Sequence, residues 1–435
     1  MLVVNVRPIS RGLVSTARRL VSQRRSWLVW IALAIVYAGL SGLAGLLTTD
    51  TTDLDLFFLP SARLALSGHA LNIYTVHPQS LYPDAIGPLG LAPLVAIAAI
   101  ALRLGWLDSL PHTHLLFTAA CSLFSVLMAG RSVREIKRLS GGQLRASMRV
   151  ASMSLLLFNP VLYFSAVQYG HLEQPLMLWF ALCAVGLLVR GRVLWAGVLL
   201  GLAILTRSTG ALYLLPVVTL LITRRRYRAA RTLLAMTVLT VTLGLGPFIL
   251  TDPGDVAFSL VGFRAALPIR GGSIWILLRN TALEPFVERG DLVLVLGFAL
   301  GICLLICVVC RDLLTGDRDM YGLTMLVALC FPLLAKTALP YYFLEPYVFA
   351  VIWAVTVLTE ASRRGVWLPL LVPALVAACA GVLSYGSRIT SGSMRFSYVG
   401  FVIFILQVCV MFIVGAYMLL TCTPKWSPGD IRKSA

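Results

Sequence analysis

The fold turns on WLVWIALAIVYAGLSGLAGLLT, residues 27–48, in which no residue carries a charge. A helix needs about 20 mostly apolar residues to cross the hydrocarbon core of a bilayer, and this run is long enough. Arg18, Arg19, Arg24 and Arg25 stand just before it. It is too long for the apolar part of a signal peptide and has no small-residue cleavage site, so it reads as an uncleaved anchor. The basic flank places the N-terminus inside.

The rest of the chain repeats the pattern. Apolar runs recur near 86–105, 113–130, 150–168, 172–190, 193–206, 209–223, 232–251, 292–310, 320–338, 341–359, 366–386 and 396–421. Across 435 residues, 59% are hydrophobic and only 12% charged, and the mean hydropathy is +0.89. Soluble domains carry about 25% charged residues. This chain has too few to wet a globular surface, which excludes a soluble enzyme, a disordered tail and a disulfide-stapled module. The runs are continuous rather than alternating, which excludes an outer-membrane barrel. The expected fold is an all-α polytopic membrane protein, one domain over 1–435, with outer loops 49–84 and 252–291. Nine cysteines fall in or beside apolar runs and none in an outer loop, so no disulfide framework is expected.

The net charge of +18 has a topological explanation. Lys and Arg cluster at 7–25, 131–149, 224–231 and 363–364, between the apolar runs, as cytoplasmic loops do. With these, 190–192, 311–319 and the C-terminal segment inside, 26 of the 36 basic residues fall on the inner side and 12 of the 18 acidic residues on the outer. No basic face is interleaved with aromatics, so nucleic acid is not an expected partner. Two crossings at 86–105 and 113–130 would put the 131–149 cluster outside. Gly87, Pro88, Gly90 and Pro93 break the first of these, so it is the expected non-crossing segment, which leaves about 12 membrane crossings.

Ionisable groups at the membrane are costly and mark functional sites by default. The first outer loop holds Asp53 and Asp55, then His69, Tyr74 and Tyr82. A partly desolvated carboxylate there suits a general base acting on a hydroxyl, although an acidic helix end in water would look the same. Gln168, Tyr169, Gly170, His171, Leu172, Glu173 and Gln174 form a second polar cluster, open also to reading as a capped helix start. The third group is basic: Arg207 at the tip of a short hairpin, Arg264 and Arg270 in the long outer loop, and Lys336 ending a run. Cations outside, against the charge bias, call for an anion such as phosphate, or else they snorkel to lipid headgroups. Trp275, Tyr341 and Tyr342 are membrane-belt aromatics that can also stack on sugars.

The loop Asp53-Leu54-Asp55-Leu56-Phe57, followed by Gly68, Tyr74 and Tyr82-Pro83, resembles the first outer loop of GT-C-fold glycosyltransferases. It is similar to the D-x-D loop of the GPI mannosyltransferase I family and of the bacterial family 87 mannosyltransferases. The order Asn159-Pro160, Gly170-His171, Ala196-Gly197 and Thr206-Arg207 matches as well; many relatives have Lys at the place of Arg207 and Gln at that of His171. The resemblance implies a GT-C bundle with outer loops forming the active site in a cell membrane, on the periplasmic or extracellular side. It implies inverting transfer of a sugar, mannose first, from a polyprenyl-phosphate donor to a hydroxyl of a glycolipid or cell-envelope glycan. Asp53 is then the catalytic base and Asp55 the second member of the pair. His69, Tyr82, His171, Glu173, Arg207, Arg264, Arg270, Trp275, Lys336, Tyr341 and Tyr342 are the expected substrate contacts. No cofactor is expected, although D-x-D pairs elsewhere sometimes bind a metal. Arabinofuranosyl or glucosyl transfer on the same fold is an alternative, and a lipid flippase is another. A flippase would show inverted repeats with broken helices meeting at mid-membrane; no such internal symmetry is visible in the sequence, and the ionisable residues collect at the outer edge rather than mid-membrane.

Overall fold

The computed structural model describes residues 30–47, 53–75, 84, 86–142, 144–269, 273–309, 316–361 and 368–389. Among them every regular element is a helix and there is no strand. We number the principal helices α1 (Trp30–Leu46), α2 (Leu59–Leu66), α3 (Pro88–Arg103), α4 (Leu110–Leu139), α5 (Ala146–Gln168), α6 (Glu173–Val189) and α7 (Val193–Thr206). They continue with α8 (Leu214–Thr223), α9 (Tyr227–Thr251), α10 (Glu284–Val309), α11 (Asp317–Leu334), α12 (Leu344–Ala361) and α13 (Leu368–Ile389). Five of the segments, α4, α5, α9, α10 and Pro340–Thr359, are long and apolar enough to cross a membrane, as in a multi-pass membrane protein. The run at 396–421 lies outside the described residues.

The helices run between two chemically distinct ends. At the basic end, buried Glu135 on α4 accepts from Arg131, from Arg138 Nε at 2.8 Å and from the Tyr321 hydroxyl at 2.9 Å. Arg138 also reaches Asp317 at 2.8 Å, and Arg224 lies 3.6 Å from the same carboxylate. These bonds tie α4 and α11 together beside the end of α8. Helix α1 runs antiparallel to α4: a Cβ at Gly45 would sit 2.7 Å from the His114 carbonyl, and one at Gly130 would meet the Trp30 ring at 3.3 Å. Small residues allow such close approach where no water drives association. Gly197 and Gly201, one turn apart on α7, do the same against α9, and the Thr237 hydroxyl donates to the Gly197 carbonyl at 3.0 Å. Helix α12 is buried on nearly all sides, with Trp353, Phe349 and Val351 in the core. Helices α9 and α10 leave long apolar faces exposed.

Helix α3 does not traverse the bundle. Its first residues pack on the end of α7, where the Gly87 N–H donates to Thr206 O at 3.2 Å. The loop after its last residues leads straight into α4, with Thr113 Oγ1 bonded to Trp106 O at 2.9 Å. Both ends of α3 therefore lie at the end of the bundle opposite the basic one. Gly87 is what permits the contact: a Cβ there would fall 2.0 Å from Leu205 O, backbone against backbone, with no flexible side chain to yield. Gly87→Ala should lower thermal stability in detergent by about 1–3 kcal/mol, the usual cost of overpacking. Gly39→Ala, with nothing within 4 Å, should leave the melting temperature unchanged. Equal melting temperatures for both variants would show that the α3–α7 junction yields freely.

Two expected loops are partly helical. Within 252–291 the chain forms short turns Pro253–Ala257, Phe258–Gly262 and Phe263–Ala266, and α10 begins at Glu284 rather than near 292. Glu284 in the first turn followed by Pro285 starts that helix, since an acid and a proline suit the free N–H groups there. Its first turns carry Glu288, Arg289 and Asp291, so hydropathy alone begins the helix too late. In the first outer loop, Leu54–Phe58 and α2 are helical directly after Asp53.

Candidate active site

Three wide π turns occur among the described residues, Leu54–Phe58, Phe164–Gln168 and Phe258–Gly262, and each lies beside an expected site residue. Such turns are frequent at functional sites because one extra residue re-aims the side chains beyond it. The first begins right after Asp53. The second ends at Gln168, after which Gly170, at φ +73°, turns the chain so that the His171 N–H donates to Ser165 O at 2.7 Å. The third leads into Arg264.

The first two segments and the end of α7 meet around His171, while the third brings Arg264 to Tyr342. Its Nε2 lies 2.9 Å from Asp53 Oδ2 and its Nδ1 lies 2.8 Å from Glu173 Oε1. The Tyr341 ring lies against it at 3.9 Å between centroids, and the Phe58 ring meets it edge-on at 5.4 Å. Glu173 does open α6, and its carboxylate and that of Asp53 also grip one imidazole between them. Burial opposes charge on the His171 ring. The Glu173 charge beside it and the hydrogen bonds to Asp53 and Glu173 outweigh burial and raise its pKa above the ordinary histidine value.

Asp53 is the member of this chain of contacts that reaches solvent, with its side chain 23% exposed. The Tyr341 hydroxyl is 3.4 Å from Oδ2, and among the described residues Oδ1 carries no hydrogen bond. Asp55 turns elsewhere. Its Oδ2 pairs with His114 Nε2 on α4 at 2.8 Å, and both side chains are buried. The two aspartates, two residues apart, thus hold different histidines.

Arg207 sits deep. Helix α7 has 14 residues, about 21 Å of rise, against a hydrocarbon core of about 30 Å. Arg207 follows directly on the last residue of α7 and is buried within the protein. Its charge is met inside the protein: Nη1 bonds Glu173 Oε1, and Nε lies 3.7 Å from Glu345 Oε1. Glu345 also accepts from Thr209 Oγ1 at 2.8 Å and from the Tyr213 hydroxyl at 2.7 Å. Arg264 is different. Its guanidinium stacks over Phe331 at 3.9 Å and over Tyr342 at 5.1 Å, and Nη1 donates to the Tyr342 hydroxyl at 3.1 Å. Nη2 is buried without a hydrogen bond, and no ion pair is formed with a carboxylate among the described residues.

Other expected site residues lie apart. The Lys336 ammonium bonds the Glu288 carbonyl and its backbone N–H reaches Asp291 Oδ2 at 3.3 Å, so it fastens the end of α11 to α10. Trp275 Nε1 donates to Leu334 O at 2.6 Å, and with the Ser273 hydroxyl on Ala335 O at 2.9 Å it caps the last turn of α11. His69 is exposed and touches Ser67 at 3.2 Å. Tyr82 and Arg270 lie outside the described residues.

Sequence reading did not single out Glu345 as a partner of Arg207, Thr209 and Tyr213 as partners of Glu345, His114 as the partner of Asp55, or Asp84 as a site residue. Glu345-Pro346, separated from the pair Tyr341-Tyr342 by Phe343 and Leu344, was the available signal for the first. Asp84 is buried, with Oδ1 taking the Ile86 N–H at 3.0 Å and Oδ2 without a hydrogen bond among the described residues. Burial pushes its carboxyl well above the usual range. The Ile86 N–H draws it back in part, and the Glu173 charge adds to the rise. Among the described residues no three His, Cys, Asp or Glu side chains converge as a metal site would require. No protein-family model and no curated protein matches this sequence.

Proposed function

We propose that the chain is a GT-C-type membrane glycosyltransferase with about 12 crossings. It moves a sugar, mannose first, from a polyprenyl-phosphate donor to a hydroxyl of a glycolipid or cell-envelope glycan. The observation that carries this reading is the Asp53 carboxylate: one oxygen fixed by His171, the other without a hydrogen bond among the described residues, at the rim of an otherwise buried polar cluster. The concentration of arginines at the opposite end supports a site on the non-cytosolic face of the cell membrane.

In this reading Asp53 Oδ1 takes the proton of the acceptor hydroxyl as its oxygen bonds to the anomeric carbon. The bond from that carbon to the phosphate oxygen breaks on the opposite face, so configuration inverts. The polyprenyl phosphate leaves with one more negative charge, which calls for a preorganised cation. Arg264 suits this better than Arg207, because Arg207 already faces two carboxylates while Arg264 is held by neutral aromatic partners. Tyr341 and Tyr342 lie beside both groups, where a sugar face can stack.

Purified protein incubated with a panel of polyprenyl-phosphate sugars and lipid or glycan acceptors should yield a mass-shifted product, with the mannosyl donor the best. Preference for a glucosyl or arabinofuranosyl donor would keep the fold and chemistry and replace the sugar. Donor translocation across vesicles without any product would replace the enzyme with a flippase.

A further inference from the structure

We propose that His171 is a positioning residue for the base: clamped between Asp53 and Glu173, it holds Asp53 Oδ2 so that Oδ1 faces the acceptor hydroxyl. This rests on Asp53 being that base. The geometry leaves the ring little freedom. Both nitrogens lie within hydrogen-bond distance of a carboxylate oxygen, at 2.9 Å and 2.8 Å, and Arg207 Nη1 also lies 3.1 Å from Nδ1. Tyr341 covers one face and Phe58 meets the ring edge-on. Glu173 is anchored in turn by Arg207, and Arg207 by Glu345, so the clamp extends into α12.

A neutral imidazole donates from one nitrogen only, whereas the imidazolium donates from both. The two-carboxylate grip therefore belongs to the charged ring. The groups that set its charge are Asp53, Glu173, Arg207, Glu345 and the Tyr341 and Tyr342 hydroxyls, with Asp84 acting through Glu173. The raised His171 pKa keeps the clamp intact at and below about pH 6.5, the ordinary histidine value, and releases it as pH climbs through the higher folded-state value. Once the Nδ1 proton is gone, that nitrogen accepts from Arg207 Nη1, which lies 3.1 Å away, so the ring is no longer tied to Glu173 and Asp53 loses a partner fixed from both sides.

The test is steady-state transfer by His171→Ala and His171→Gln across pH. His171→Ala should lower kcat on the order of 10²-fold, the scale of a misplaced reacting group, with the donor KM unchanged. His171→Gln, which keeps one donor, should recover part of kcat and lose the alkaline fall that the unmodified enzyme shows. Unchanged kcat in His171→Ala, or an unchanged alkaline fall in His171→Gln, would overturn the positioning role while an inactive Asp53→Asn still upheld the base. Normal turnover by Asp53→Asn would overturn the base itself. If His171→Ala does not fold, the pH profile of His171→Gln decides alone.

Discussion

Asp53→Asn should abolish sugar transfer while the protein still inserts, purifies and binds donor. The substitution keeps the shape, and its amide oxygen can still accept from His171 Nε2, so the His171–Glu173 clamp has no reason to open. What disappears is the basicity of Oδ1. General base catalysis contributes about 10²–10⁴-fold, so turnover should fall by that factor or below detection. Asp55→Asn separates the two aspartates. Its carboxylate lies on His114 and is buried, so this change should lower melting temperature more than kcat. Full activity in Asp53→Asn, measured as product mass against time, would remove the base; total loss in Asp55→Asn at normal stability would move it two residues along.

Arg207→Met should be the most destabilising single change at this end of the bundle. It leaves Glu173 and Glu345, both buried, without their cation. Removing one partner of a buried pair costs about 3–5 kcal/mol, because the remaining charge is stranded. The melting temperature in detergent should drop accordingly, and Arg207→Met combined with Glu173→Gln should recover part of it, since one stranded charge is then gone. A wild-type melting temperature in the single variant would mean that water reaches the two glutamates. The measurement also bears on the donor: a destabilised variant with unchanged donor KM places the phosphate on Arg264, and a raised donor KM at normal stability places it on Arg207.

Much of the site was legible residue by residue but not as a set. Asp53, His171, Glu173, Arg207, Arg264, Tyr341 and Tyr342 stood out as polar or aromatic groups beside apolar runs, and the structure brings them together. Lys336 and Trp275 stood out for the same reason, yet they fasten α11 to its neighbours. Position along a hydropathy profile gives depth, and depth does not tell a clamp on substrate from a clamp on a helix end. Glu345 gives a weaker signal in the sequence, since an acid in a helix's first turn has an ordinary explanation in the helix dipole.

Helicity across the described chain, and the choice of stretches apolar enough to lie in a membrane, are written in the amino-acid order alone. Both depend on composition within short windows, which each window carries without reference to the others. The pairings belong to three-dimensional packing. Asp53 and His171 are separated by 118 positions, and Arg207 and Glu345 belong to different hairpins. Whether Asp53 or Asp55 faces His171 depends on how far one helical turn is rotated, about 100° per residue, and that rotation is set by packing against α4 and α6. No local property of the chain encodes it.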